Sequence, residues 1–98
     1  MVGSVAIIHS RPGTVRSNHY HKTDAHYLYC VRGCFSYREC APDEDVSMAR
    51  PIRVRPGDLL YTPPGRVHRC EFDEYTILVS ASKLTRTHEN HEADVVRV

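Results

Sequence analysis

Short runs of β-branched and aromatic residues, broken by glycine, proline and aspartate, make up most of this chain. The runs are Val5 to His9, Val15 to His21, Ala25 to Val31, Cys34 to Cys40, Ile52 to Val54, Leu59 to Thr62, Val67 to Phe72, Tyr75 to Ala81 and Val95 to Val98. Each has strand length, and several alternate in character with a period of two. The separators carry turn chemistry: Arg11-Pro12-Gly13, Arg32-Gly33, Arg55-Pro56-Gly57-Asp58 and Pro63-Pro64-Gly65. Asp73-Glu74 predicts a hairpin between Val67–Phe72 and Tyr75–Ala81. Ala41 to Ala49 is polar and acidic and reads as a surface loop, and Ser82 to Asp94 reads as a polar tail. No stretch carries a useful 3.6-residue apolar period. The chain therefore reads as all-β, a small sandwich or barrel, and a closed antiparallel jelly roll would remove most exposed edges.

Side chains two apart on a strand share a face. His19 and His21 then point one way and Tyr20 the other. The same parity groups His26, Leu28 and Cys30, and later His68, Cys70 and Phe72. If these faces line one interior, several imidazoles converge there. Imidazole is the commonest protein metal ligand and titrates nearest neutrality, so such a cluster points to metal binding or proton transfer.

Size and charge narrow the classes. With 98 residues the chain is one domain, 1–98, whose modest core invites help from a metal or a partner subunit. Thirteen Lys and Arg against twelve Asp and Glu give a net charge of +1. That balance provides no basic field for nucleic acid and no polybasic run for a membrane surface. The first apolar run, Val5 to Ile8, is too short for a leader or a spanning helix, which predicts a cytoplasmic protein. Cys30, Cys34, Cys40 and Cys70 form no Cys-x-x-Cys pair and are expected to be free thiols.

The spacings go further. Gly13 is followed after five residues by His19-Tyr20-His21, after four more by His26 and after six more by Gly33. Gly57 is followed after five residues by Pro63-Pro64-Gly65 and after two more by His68. This pair of motifs resembles the two motifs of the cupin superfamily. The resemblance implies a small antiparallel jelly-roll β-barrel, usually a homodimer, with its site inside the barrel. In metal-binding cupins the first motif supplies two histidines and a glutamate, and the second a histidine. His19, His21 and His68 match; His26 stands at the glutamate position, and Phe72 at the second motif's final asparagine. Four imidazoles would leave a divalent ion more positive than three imidazoles and a carboxylate, and with no carboxylate to accept a proton. The expected ion is a divalent transition metal, zinc or nickel first, then iron, copper or manganese. A narrower resemblance links Val15 to Thr23 and Glu92 to Val98 to cupins of polysaccharide biosynthesis, including sugar-nucleotide ketoisomerases.

Other residues are weighed against plainer roles. Tyr27, Tyr29 and Tyr37 read as half-buried strand aromatics, whereas Tyr61, just before the second motif's turn, joins His19 and His21 as a candidate catalytic group. Arg16, Arg66 and Arg69 could hold a carboxylate or diphosphate. Cys30 and Cys70 read as inert buried thiols near the site. His88 and His91 fall in the polar tail, and His9 has no motif around it. The leading expectation is a small metalloenzyme, an isomerase, epimerase or dioxygenase, acting on an anionic or oxygen-rich small molecule. The alternatives are a metal-independent sugar-nucleotide isomerase or epimerase using paired histidines, and a non-catalytic small-ligand-binding cupin.

Overall fold

The computed structural model describes residues 3–22, 25–82 and 95–97, with backbone alone at 17–21 and 95–97. The strands are β1 (Ser4–Ser10), β2 (Val15–His21), β3 (His26–Arg32), β4 (Phe35–Cys40), β5 (Ile52–Val54), β6 (Leu59–Thr62), β7 (Val67–Phe72), β8 (Thr76–Ser82) and β9 (Val95–Arg97). They form a four-stranded sheet, β1-β8-β3-β6, and a five-stranded sheet, β5-β4-β7-β2-β9. Every pairing is antiparallel. The all-β jelly-roll expectation holds, and every predicted strand falls within a residue or two of its place.

One predicted pairing does not form. β7 pairs with β4 and β2, whereas β8 pairs with β1 and β3. The Asp73-Glu74 turn therefore carries the chain from one sheet to the other and closes no hairpin. Each strand carries core residues on the face that meets the other sheet, Cys70 and Phe72 on β7 and Leu78 on β8, and stacking buries them together. A hairpin would leave both in a single layer.

The predicted loop 41–49 also contains structure. Val46–Met48 forms one turn of 3-10 helix, with the Asp45 carboxylate accepting from the Ser47 amide. Val46 is buried against Cys40 and Val67. Cys40 and Val67 are register partners, so this small cluster sits outside the five-stranded sheet. Elsewhere that outer surface is polar. Arg38 Nε lies 2.6 Å from Glu71 Oε1, and Arg53 holds both Asp73 oxygens at 2.9 and 3.0 Å.

The main core lies between the sheets. Cys30, Phe35, Tyr37, Val54, Cys70, Phe72 and Leu78 pack together, with Ile8, Leu28 and Leu60 at the margin. Phe35 and Phe72 are register partners with ring centroids 5.0 Å apart. Burial of each such side chain contributes about 1.5–3 kcal/mol, so this pair anchors one end of the barrel.

Candidate functional site

The inward rows of five strands change character along their length, and they do so together. On β3 the row runs from Cys30 through Leu28 to His26, and on β7 from Phe72 through Cys70 to His68. On β4 it runs from Phe35 through Tyr37 to Glu39, on β6 from Leu60 to Thr62, and on β8 from Leu78 through Ser80 to Ser82. Register aligns the polar ends: His26 pairs with Thr62 and with Ser82, and Glu39 pairs with His68. The barrel thus has a dry end and a polar end.

At the polar end the two sheets meet through side chains. The His26 ring on β3 faces the His68 ring on β7, with centroids 6.3 Å apart and planes tilted by 48°. His26 is buried and His68 half-buried. Tyr37 crosses the barrel, its hydroxyl 2.8 Å from Thr62 Oγ1 and 3.1 Å from Glu39 Oε1. A phenol has one proton to give. If it goes to the Glu39 carboxylate, the Thr62 hydroxyl donates to the Tyr37 oxygen. The chain then runs Thr62, Tyr37, Glu39 and links the sheet that carries His26 to the sheet that carries His68. Burial, with the nearby Glu39 charge, pushes the Tyr37 phenol far above its ordinary value, so it stays a proton donor at neutral pH.

β2 adds a backbone statement. His19 is the register partner of His68 on one side and of Arg97 on the other, after an irregularity between Ser17 and His19. His21 pairs with Val95. The side chains of His19 and His21, and all of His88 and His91, lie outside the described residues.

Other predicted residues sit elsewhere. Tyr61 is half exposed on the outer face of the four-stranded sheet, its ring 5.0 Å from that of Tyr27. Thr62, one residue on, takes the inward position, so strand parity removes Tyr61 from the interior. Tyr37, read as a half-buried strand aromatic, is the tyrosine inside. Glu39 supplies the interior with the carboxylate that an all-imidazole site would lack. It comes from β4, outside both motifs, and the Phe35, Tyr37, Glu39 alternation was the signal for it. Arg69 lies on the outer face, 3.8 Å from Glu71. Arg16 Nε donates to Ser10 Oγ at 3.0 Å. Arg66 Nε stands 3.5 Å from Glu39 Oε2 and lines a groove of about 530 Å³ that Glu39 shares with Arg50, Glu44 and Asp45. His9 Nδ1 is hydrogen-bonded to the Tyr75 hydroxyl.

All four cysteines are free. Burial pushes the Cys70 thiol up to about 12, partly offset by Arg16, and raises Cys30 and Cys40 as well. Thiolate is the reactive form. Cys34, the one cysteine not buried, is therefore expected to react with iodoacetamide at pH 8 well before the other three. Peptide mapping over a time course checks this; equal labelling of Cys34 and Cys70 in folded protein would contradict the burial argument. Among the described residues no three His, Cys, Asp or Glu side chains gather closely enough to hold a metal ion, and no helix is long and apolar enough to cross a membrane.

A two-sheet antiparallel barrel with histidines from both sheets at one end defines the class, and the sequence profile of the cupin domain matches residues 6–82. The chain belongs to the cupin family. Its fold is shared with the capsular polysaccharide assembling protein CapF from Staphylococcus aureus, at a TM-score of 0.83 and 20% identity. That alignment covers 98% of this chain but only 28% of CapF. QdtA, a sugar 3,4-ketoisomerase from Thermoanaerobacterium thermosaccharolyticum solved in complex with TDP, superposes at a TM-score of 0.79 with 24% identity, over 99% of this chain and 67% of that one. CENP-C of Drosophila melanogaster, solved bound to CAL1, superposes at 0.66 with 17% identity, over 80% and 60%. A search of curated proteins found no significant match.

Proposed function

We propose that this cupin is an isomerase or epimerase that moves protons next to the carbonyl of a keto-sugar nucleotide. The observation that carries the reading is the pair of imidazoles from opposite sheets, 6.3 Å apart, beside the Thr62–Tyr37–Glu39 chain. Shifting a carbonyl to the neighbouring carbon needs a base to take the proton from the carbinol carbon while the carbonyl oxygen gains one, giving an enediol. A proton is then returned to the former carbonyl carbon as the other hydroxyl loses its own. Two imidazoles on opposite walls suit those two transfers, and a neutral tyrosine suits donation to oxygen. His19, the backbone partner of His68, is a further proton carrier in this reading, as is His21 two residues on. The likeness to QdtA supports the substrate class, and Arg66 beside Glu39 offers a cation for the diphosphate.

The test is proton NMR in D₂O with TDP-4-keto-6-deoxyglucose. Deuterium should enter the sugar at carbon next to the carbonyl, and a new ketone or epimer should accumulate. Absence of both exchange and binding, across several keto-sugar nucleotides, would overturn the reading.

A second reading has its own support. His19 opposite His68, and His68 facing His26, draw three of the four expected ligands, His19, His21, His26 and His68, toward one end of the barrel. His26 and His68, with His19 and His21, would be the residues to hold a divalent transition metal there. Such an ion would polarise a carbonyl oxygen. Elemental analysis of untagged protein separates the two readings. Stoichiometric zinc, nickel, iron, copper or manganese, with proton exchange lost on chelation and restored on reloading, favours the metal. Exchange that persists in metal-free protein favours the paired imidazoles.

A further inference from the structure

The two oxygens of Glu39 have different surroundings. Oε1 accepts from the Tyr37 hydroxyl at 3.1 Å, inside the barrel. Oε2 stands 3.5 Å from Arg66 Nε, and both residues line the groove over the turn at 44–50. That groove is open to solvent: Met48, on its wall, is 82% exposed. The other members of the chain are shut away from it. Tyr37 is 3% exposed and Thr62 2%, against 26% for the Glu39 side chain. Among the described residues, Glu39 is the one member of the Thr62–Tyr37–Glu39 chain that lines the groove. The chain therefore passes through the barrel wall at this carboxylate.

We propose that Glu39 is a proton port, exchanging protons between the barrel interior and water in the groove. The steps balance. The carboxylate takes the Tyr37 proton on Oε1, Tyr37 takes that of Thr62, and Thr62 is replenished from the interior, where His26 is its register partner. The carboxyl group then turns and gives its proton to groove water, and a proton from water enters by the same steps reversed. Burial holds the Tyr37 phenol far above its ordinary value, so it does not rest as phenolate and passes one proton on as it receives another.

Such a port matters while the site is full. Phe35, Phe72, Cys30 and Leu78 seal the dry end, and a bound sugar nucleotide would fill the polar end and exclude water there. An imidazole that has taken a proton from the substrate's carbon can then return it, or exchange it with solvent through the wall. Exchange at Glu39 stands without any substrate. Its part in turnover rests on the proposed keto-sugar chemistry.

The test is carbon NMR of the full chain labelled at tyrosine Cζ, in equal parts H₂O and D₂O. A hydroxyl that exchanges slowly gives two Cζ resonances, one for OH and one for OD; fast exchange gives a single averaged line. Tyr37, assigned by its loss in Tyr37→Phe, should give one line in wild type despite its burial. It should give two in Glu39→Gln, whose amide has the shape of the carboxylate but relays no proton. Two lines in wild type overturn the port, as does one line in a Glu39→Gln protein with wild-type circular dichroism. A second readout uses TDP-4-keto-6-deoxyglucose in D₂O. Substrate recovered unreacted at low conversion should carry deuterium at the carbon that gave up its proton, and Glu39→Gln should lower this wash-in, relative to product formed, by about tenfold. An unchanged ratio counts against the port. A wild-type protein that neither exchanges nor isomerises any keto-sugar nucleotide overturns the keto-sugar chemistry instead, and the Tyr37 resonance then decides the port alone.

Discussion

Replacing His68 with asparagine is expected to slow proton exchange into a keto-sugar nucleotide by about 10²–10⁴-fold, the usual contribution of a positioned acid or base. His26→Asn should fall in the same range, because the two rings face one another from separate walls. Asparagine keeps a polar side chain of similar reach and removes the titrating nitrogen, so binding should change little. The separation of kcat from KM is the check. A loss confined to KM would assign the ring to holding substrate. Rates of the single and double variants sharpen it further: if both rings serve one transfer sequence, the double variant should be little slower than the worse single one. Tyr37→Phe keeps the ring that packs with Phe35 and Cys70 but breaks the chain between Thr62 and Glu39. It should lower kcat by about tenfold and leave stability close to wild type. A Tyr37→Phe protein with full activity would separate that chain from the chemistry.

Both the motifs and the limits of reading them are visible in these residues. His26 and His68 could be placed on inward faces from parity alone, since the period of two fixes which neighbours share a side. Their apposition needed the stacking of two sheets, which no local pattern encodes. Glu39 and Tyr37 lie on a strand with the same alternation, but that strand is outside both motifs, so the pattern gives Tyr37 the plain role of a half-buried aromatic and does not single out Glu39. Register supplied what was missing: Glu39 stands opposite His68 only when β4 pairs with β7. Tyr61 shows the converse: it is near a motif in sequence, yet strand parity places its side chain on the outer face of the sheet. A displacement of one residue along a strand turns a side chain through the sheet. The Asp73-Glu74 turn is ambiguous for a related reason, because a short polar turn fits a hairpin and a crossing between stacked sheets equally well.

Gly33→Ala is expected to cost about 3 kcal/mol or more, a large share of the total for a domain of this size. Gly33 follows β3 with φ of +84°, a conformation that disfavours any side chain by about 1–2 kcal/mol. Space adds to this cost. A Cβ there would press on the Tyr75 carbonyl oxygen and lie 2.7 Å from Thr76 Oγ1 and 2.9 Å from Thr76 Cα. Those are atoms of the backbone that starts β8 and of a fully buried threonine, whose hydroxyl lies 3.0 Å from the Glu74 carbonyl oxygen and 3.3 Å from that of Cys34, with one proton to donate between them. Neither can retreat cheaply. Gly57 is the control, with φ of +94° and nothing within 4 Å of an added Cβ, so Gly57→Ala should cost about 1 kcal/mol from backbone strain alone. With a urea slope of about 1 kcal/mol per molar, the midpoint should fall by about 3 M for the first variant and about 1 M for the second. Equal midpoints would show that the packing around Gly33 relaxes freely. The expected inequality bears on function as well as stability. Gly33 joins β3, which carries His26, to β4, which carries Tyr37 and Glu39, exactly where the chain changes sheets and β8 docks against the turn. Forcing that junction apart shifts the two walls whose polar ends must meet.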